Sequence, residues 1–150
     1  MTKARLASLP IELLIVLPVI AILAGMVALQ VASASTDARE ALLTNDLTAV
    51  RTAICKYSRD HLGSHPEGQL FASQLCRRTD ASGAVMPDGA DISDFPFGPY
   101  LDGLPANTYI ENLASASAVK TGSSECPSDG TSGWYYNEQT GLFSANNLRP

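Results

Sequence analysis

An apolar stretch near the N-terminus dominates the pattern of hydrophobic and polar positions along this chain. Residues 9–32 contain only two polar side chains, Glu12 and Gln30, and residues 13–29 contain none. A run of that length is close to the lower limit for a helix that crosses a bilayer, which needs about 17 to 25 apolar residues. The pattern therefore predicts a transmembrane helix over residues 8–32.

The charges that flank this stretch predict its orientation. Lys3 and Arg5 precede it with no acidic residue before Glu12, whereas the charges at positions 37–40 nearly cancel. Because basic residues stay on the cytoplasmic side, the N-terminus is predicted to be cytoplasmic. The predicted location is a single-pass inner-membrane protein with a periplasmic or extracellular head.

A secretory signal peptide is the alternative interpretation of the same residues. Basic residues followed by an apolar run also open signal peptides, and Ala32, Ser33 and Ala34 form an acceptable cleavage site. Cleavage after Ala34 would release a soluble secreted binding domain. The length of the apolar run and its carboxylate disfavour this alternative.

Glu12 is the one carboxylate inside the apolar stretch. A charge inside a membrane-spanning helix costs about 3 kcal/mol, and two accounts of Glu12 stay open. In the first, the carboxylate lies at the cytoplasmic interface, where the cost falls. In the second, it pairs with a cation on another chain and so fixes the register between subunits.

The helical pattern continues beyond the apolar stretch. No Gly or Pro occurs between Met26 and Leu62, and Gly63 with Pro66 is expected to end the helix. An amphipathic half is therefore predicted over residues 33–62, with its apolar side formed at three- and four-residue steps by Ala38, Leu42, Ala49, Val50, Ala53, Ile54 and Tyr57.

Residues 63–150 predict a small, loop-rich head. A short helix is expected near residues 68–77, loops over 80–105 and a strand at 108–110. Two short apolar runs, 134–137 and 142–145, flank a turn that contains Gly141 and predict a C-terminal β-hairpin. The fold class expected is α+β, a long N-terminal helix on a head with a short antiparallel sheet.

The N-terminal residues resemble a known signature. Ile11 to Val16, followed by Ile20 to Ala24, is similar to the start of type IV pilins and type II secretion pseudopilins. The resemblance implies that residues 1–7 are a leader, which prepilin peptidase removes between Ala7 and Ser8 before it methylates the new amine. The family usually has Gly and Phe at those two positions.

The resemblance also assigns roles to two residues of the helix. Glu12 would be the assembly residue, and Pro18 would soften the helix within a filament, although a proline that a transmembrane helix merely tolerates fits equally well. Segment 53–63, followed by Pro66, resembles the end of the long pseudopilin helix, and segments 98–101 with 104–105 and 133–137 with 140–141 resemble the heads of major pseudopilins. The implied function is a structural subunit of a pilus-like filament, a secretion pseudopilus above all, with no enzymatic activity.

The same resemblance implies the partners. They are homologous pilin or pseudopilin subunits, prepilin peptidase, the inner-membrane assembly platform, and membrane lipid before assembly. Nucleic acid is not expected, because Lys and Arg number 10 against 15 Asp and Glu and give a net charge of −5. No nucleophile elbow and no phosphate-binding loop is present in the sequence.

The three cysteines allow a disulfide in an exported head. Pairing of Cys76 with Cys126 would close a loop of about 50 residues and stabilise the fold by about 3 to 4 kcal/mol. Cys55 would then be a buried thiol on the apolar side of the helix. Pairing of Cys55 with Cys76 is nearly as well supported by the sequence.

Metal chemistry finds little support in the sequence. His61 and His65 have the four-residue spacing of helical ligands, but Gly63 between them ends the helix, so two exposed histidines are expected. Major pseudopilins bind calcium in head loops, which makes calcium a candidate for one acidic loop; a solvated loop is the default. Its carboxylates are Asp88, Asp91, Asp94 and Asp102.

Two further groups of side chains have simple interpretations. Arg77 and Arg78 are expected to be a solvated pair. Trp134, Tyr135 and Tyr136 alternate sides along a strand, so one face should belong to the core and the other could contact a neighbouring subunit.

Overall fold

A computed structural model describes the backbone of residues 9–148 and the side chains of residues 13–23 and 34–148. Its elements, in chain order, are helix α1 (Leu9–Asp60), helix α2 (Phe71–Cys76), helix α3 (Leu113–Ala116), and strands β1 (Val119–Gly122), β2 (Trp134–Asn137) and β3 (Phe143–Ala145). Two 3₁₀ turns lie at Gly68–Leu70 and Ile92–Asp94. The chain is α+β, and it divides into two compact units, Met1–Glu40 and Ala41–Pro150.

The prediction of a transmembrane helix is wrong. Within the described ranges, no helix combines the length and the apolar character that crossing a bilayer requires. The transmembrane first half of the predicted fold, and the single-pass inner-membrane location that followed from it, are corrected accordingly.

The second unit has a core of its own, built where α1 packs on the sheet. The α1 side chains in it are Val50, Ala53, Ile54 and Tyr57, with Leu43 and Leu47 at its edge. Phe71 and Leu75 of α2, Trp134 and Tyr136 of β2, and Phe143 of β3 complete it. Three residues of the predicted apolar side, Ala38, Leu42 and Ala49, are exposed. They point away from the face of the helix on which Val50 and Tyr57 are buried.

The sheet is mixed, so the prediction of an antiparallel sheet is wrong. β2 is the central strand, paired in parallel with β1 and antiparallel with β3. Trp134 lies opposite both Val119 and Ala145. The two strands of the C-terminal pair lie where the apolar runs indicated them. The parallel partner was not foreseen, because Val119–Gly122 is too short and too polar to give a pattern of its own.

Residues 108–110 form a turn instead of the predicted strand. The Asn107 side chain accepts a hydrogen bond from the Tyr109 backbone N–H at 3.0 Å, and the Ile110 N–H donates to the Asn107 carbonyl at 3.1 Å. An Asn that bonds its own backbone two residues on offers the chain a turn in place of a ladder. The local signal of Asn107 outweighed the β propensity of its two neighbours.

The end of α1 follows the sequence signals closely. The helix ends at Asp60, and Leu62 and Gly63 take positive φ angles of 57° and 90°. The Gly63 N–H donates to the Ser58 carbonyl at 2.7 Å, which satisfies a carbonyl of the last turn. A glycine at this point gives the left-handed conformation without a Cβ penalty.

The core predicts a large stability effect for Phe143→Ala. Phe143 is fully buried, and its ring lies 5.2 Å from Trp134 and 5.6 Å from Phe71, centroid to centroid. Removing the ring leaves a cavity, so the free energy of unfolding in urea should fall by about 3 to 5 kcal/mol. Leu113→Ala, at a position 85% exposed, should change it by less than about 0.5 kcal/mol. Equal effects of the two variants would contradict this core.

Candidate functional site

The first unit presents an exposed apolar surface on α1, here called the apolar helical surface and defined as Leu13–Leu23. Its large side chains are between 48% and 73% exposed, namely Leu13, Leu14, Ile15, Val16, Leu17, Val19, Ile20, Ile22 and Leu23. Because these residues are consecutive, they cover every side of three helical turns. A helix that is apolar all round is normally buried, so the exposure of this surface makes it the candidate interaction site of the first unit.

Other predicted residues of this region are only partly described. Pro18 lies inside α1, and the helix continues past it. Glu12 lies in the same helix, but its side chain is outside the described part of the structure. The predicted cleavage site, Ala7 and Ser8, also lies outside the described residues. The roles of these residues stay predictions.

The end of α1 carries a polar cluster that sequence reasoning missed. The Tyr100 hydroxyl donates to Asp60 Oδ2 at 3.0 Å, and burial followed by this bond raises the pKa of Tyr100. Tyr57 stacks on His61 with ring centroids 3.9 Å apart. His61 is only 4% exposed, so the prediction of an exposed histidine is wrong for this residue and holds for His65.

The sequence did hold a signal for this cluster. His61 follows Tyr57 by four residues, one helical turn, and lies two residues before Gly63, the glycine that ends the helix. His61 lies one turn beyond the core residue Tyr57, so it faces the core if the chain stays helical up to that point. The presence of Gly63 suggested solvent, whereas the loop around Thr79 covers this side.

The acidic loop is held by local bonds. Asp88 pairs with Arg77 at 2.6 Å, and Asp91 accepts from both the N–H and the hydroxyl of Ser93 at 2.9 Å. Those two bonds lower the pKa of Asp91. Across the described residues, no three His, Cys, Asp or Glu side chains converge as a metal site would require. Calcium binding by Asp88, Asp91, Asp94 and Asp102 stays an untested idea.

The two adjacent arginines are less free than the sequence indicated. Arg77 is half-exposed and forms the ion pair with Asp88, and Arg78 donates from Nη1 to the Phe95 carbonyl at 2.9 Å. Both side chains therefore fasten the acidic loop to the end of α2.

The three cysteines are free thiols, and neither of the predicted disulfides is formed. Cys55 is exposed, so the expectation of a buried thiol is wrong; it lies one residue away from the buried Ile54, on the solvent side of the stripe. Burial, and then the charge of Asp102, raises the pKa of Cys76. Cys126 lies half-buried, 3.5 Å from the Ala145 carbonyl.

The aromatic residues of β2 are buried on both faces. Trp134, Tyr135 and Tyr136 are all at most 4% exposed. Each polar tip donates to a backbone carbonyl: Trp134 Nε1 to Pro105, Tyr135 to Ser124 and Tyr136 to Pro66, at 2.8 to 3.0 Å. Loops cover the face that was expected to be available to a neighbouring subunit.

Asp129 organises the turn between β1 and β2. Its carboxylate accepts from Lys120 Nζ at 2.7 Å, from the Thr131 hydroxyl at 2.7 Å and N–H at 3.0 Å, and from Asn146 Nδ2 at 2.8 Å. These bonds, that of Lys120 first, hold the pKa of Asp129 well below its usual range. The carboxylate thereby ties β1 to the end of β3.

Comparison of the chain with family models, curated proteins and solved structures gives no significant match.

The Asp129 turn predicts a loss of stability in acid. A carboxylate whose pKa is lowered by folding stabilises the native state above the unfolded-state pKa, about 3.9 for Asp, and this stabilisation is lost as the pH falls further. Asp129→Asn should lower the thermal midpoint at pH 7. The difference from wild type should shrink at pH 3. Below the unfolded-state pKa the unfolded wild-type chain binds a proton at Asp129, so the native state of wild type loses part of the stabilisation that the charge gave it.

Asp102→Asn is the control, since it removes an exposed carboxylate of the same unit. Its thermal midpoint should stay close to that of wild type at pH 7. If Asp129→Asn matched this control at pH 7, the turn would not contribute to stability.

Proposed function

We propose that this protein is a structural subunit of a pilus-like filament, most similar in kind to a type II secretion pseudopilin. Copies would assemble by packing their apolar helical surfaces together. The observation that carries the proposal is the exposure of Leu13–Leu23, whose large apolar side chains are 48% to 73% exposed. Its work would be assembly, without catalysis.

The energetics favour helix packing as the driving force. Burying one exposed Leu, Ile or Val side chain contributes about 1.5 to 3 kcal/mol. Association costs about 4 to 15 kcal/mol in lost freedom, so several of these side chains must be buried together to offset it. Long side chains on consecutive turns also give the ridges and grooves by which helices pack.

Glu12 would set the axial step between subunits. Its carboxylate is placed by sequence at the start of the apolar helical surface. Among apolar side chains an ionised carboxylate needs a cation, and the α-amino group of a processed neighbour, cut before Ser8, would supply one. Prepilin peptidase and an assembly platform are the partners that this proposal needs.

The alternative function is a secreted binding domain released after Ala34. One observation favours it: the structure divides after Glu40, and Ala41–Pro150 has a complete core. In that case the apolar helical surface would be absent from the mature protein. The start of the mature chain therefore separates the two functions.

Leu14→Lys should prevent assembly. Leu14 is 73% exposed on the apolar helical surface, and a charge there must be desolvated when helices pack. Filament yield, measured by electron microscopy and sedimentation, should fall at least tenfold. The matched control is Leu113→Lys, an exposed leucine of α3, which should leave the yield unchanged. Normal filaments from Leu14→Lys would contradict the proposed packing.

Glu12→Ala is the second variant in that assay. It keeps the surface apolar and removes only the charge, so copies should still associate but form short or disordered filaments. Glu111→Ala, an exposed glutamate of the second unit, is its control. Filaments of normal order from Glu12→Ala would remove Glu12 from the mechanism while leaving helix packing in place.

The mature N-terminus should be Ser8. Mass spectrometry of the protein co-produced with a prepilin peptidase should show loss of residues 1–7 and one added methyl group. The control is the same chain produced without the peptidase, which should keep its leader. A start at Ser35 would favour the secreted domain, and a chain that keeps Met1 beside an active peptidase would contradict the proposed processing.

A further inference from the structure

Strand β3 lies at one edge of the sheet, so one side of its main chain has no neighbouring strand. The Asn137 N–H of β2 donates to the carbonyl of Leu142, the residue just before β3, at 2.9 Å. In an antiparallel pair, residues that bond the partner strand alternate with residues that do not. The main-chain groups of Phe143 and Ala145 therefore face away from β2, toward the open side.

Side chains bond the two carbonyl groups that face outward from β3. Arg51 of α1 donates from Nε to the Phe143 carbonyl at 2.9 Å, and the Cys126 thiol lies 3.5 Å from the Ala145 carbonyl. A thiol is a weak donor, and the Arg51 side chain is exposed, so neither bond is part of the core. An added strand can replace both bonds with its own backbone N–H groups.

A groove of about 400 Å³ lies beside this edge, between α1 and the turn that precedes β3. We call it the β3 groove and define it by six of the residues that line it, Arg51, Ile54, Cys55, Ser58, Leu142 and Phe143. Arg51 both lines the groove and bonds the Phe143 carbonyl, so that carbonyl borders the groove. A segment that lies in the groove is therefore placed to pair with the outer side of β3.

The lining of the β3 groove indicates which side chains such a segment carries. Leu142 is 57% exposed, and together with Ile54 it gives the groove an apolar wall. Arg51 is permanently charged, and none of the described residues that line the groove is acidic. Its bond to Phe143 uses Nε, which leaves the other guanidinium donors for a carboxylate. The lining is thus complementary to a carboxylate beside an apolar side chain.

The opposite edge of the sheet, formed by β1, is less suited to strand addition. Gly122 accepts from the Glu138 N–H of the β2 side at 3.0 Å, so the main-chain groups of the preceding residue, Thr121, face away from β2. Lys120 belongs to this strand and pairs with Asp129 at 2.7 Å, and a lysine on an edge strand disfavours further pairing. The β1 edge therefore serves as an internal reference for the β3 edge.

We propose that the β3 groove binds an extended peptide segment of a partner protein, which adds to the sheet as a fourth strand beside β3. The segment carries a carboxylate next to an apolar residue. On binding, Arg51 moves from the Phe143 carbonyl to this carboxylate, and a backbone N–H of the segment takes its place on the carbonyl. The carbonyl keeps a donor, while Arg51 exchanges a neutral acceptor for a charged one, which gives the stronger bond. The proposal concerns the second unit and does not depend on the filament.

Two synthetic peptides test the proposal on the full-length protein. One is a blocked hexapeptide of alternating Val and Thr with a single central Asp, and the other has Asn in place of Asp. The Asp peptide should slow the modification of Cys55 by maleimide, because Cys55 lines the groove. Half-protection should need about tenfold more of the Asn peptide, since that peptide lacks the bond between two charged groups. Hydrogen exchange, followed by mass spectrometry, should slow over residues 142–146 and stay unchanged over residues 119–122.

Three outcomes of this experiment would overturn the proposal. The first is an Asp peptide that leaves Cys55 and residues 142–146 unprotected at millimolar concentration. The second is protection of residues 119–122 in their place, which would move the added strand to the β1 edge. The third is protection of Cys55 that grows with protein concentration in the absence of peptide, which would assign the groove to a second copy of the chain.

Arg51→Gln tests the contact with the carboxylate. The variant lacks the charge, so the concentration of Asp peptide for half-protection should rise about tenfold, to the value for the Asn peptide. Arg59→Gln is the matched control, because the Arg59 side chain is 76% exposed in the last turn of the same helix, and it should bind both peptides as wild type does. An Arg51→Gln variant that still prefers the Asp peptide would overturn the assigned ligand class.

Discussion

The packing of the second half of α1 against the aromatic residues of β2 and β3 is the contact on which the second unit depends. A sheet of three strands, none longer than four residues, is marginal in water by itself. Tyr57 and Val50 supply the helical side of the contact, and Trp134, Tyr136 and Phe143 supply the other. Large aromatic rings bury much area per residue. Three of them are therefore enough to form a hydrophobic core between this small sheet and the helix.

The same aromatic residues also order the loops. Each ring of β2 is apolar in body and ends in a donor that bonds a carbonyl of a different loop, at Pro66, Pro105 and Ser124. A loop held at a carbonyl needs no secondary structure to remain in place. This arrangement explains how a loop-rich unit is built with its three cysteines unpaired.

The sequence predicted the elements whose apolar spacing repeats over several residues or whose turn residues are distinctive. It failed where a single contact determines the local structure. The stripe through Val50, Ala53 and Tyr57 and the hairpin around Gly141 follow from spacing and turn chemistry. The parallel pairing of β1 and the burial of His61 depend on partners distant in sequence, whereas the turn at Asn107 follows from a local side-chain bond that the β propensity of its neighbours obscured. The membrane span was wrong because, in the described part of the chain, no helix has both the length and the apolar character that a crossing requires.

Formation of the helix over Leu13–Leu23 and packing of this segment onto a partner are physically coupled. Ile15, Val16, Val19, Ile20 and Ile22 are β-branched residues, which lose side-chain freedom in a helix. Pro18 also removes one backbone donor. Such a segment gains little helical stability from its own residues and most of it from burial. A partner that covers the apolar helical surface would therefore stabilise the helix as well as the complex. Assembly would in this way stabilise the same helix through which the copies associate.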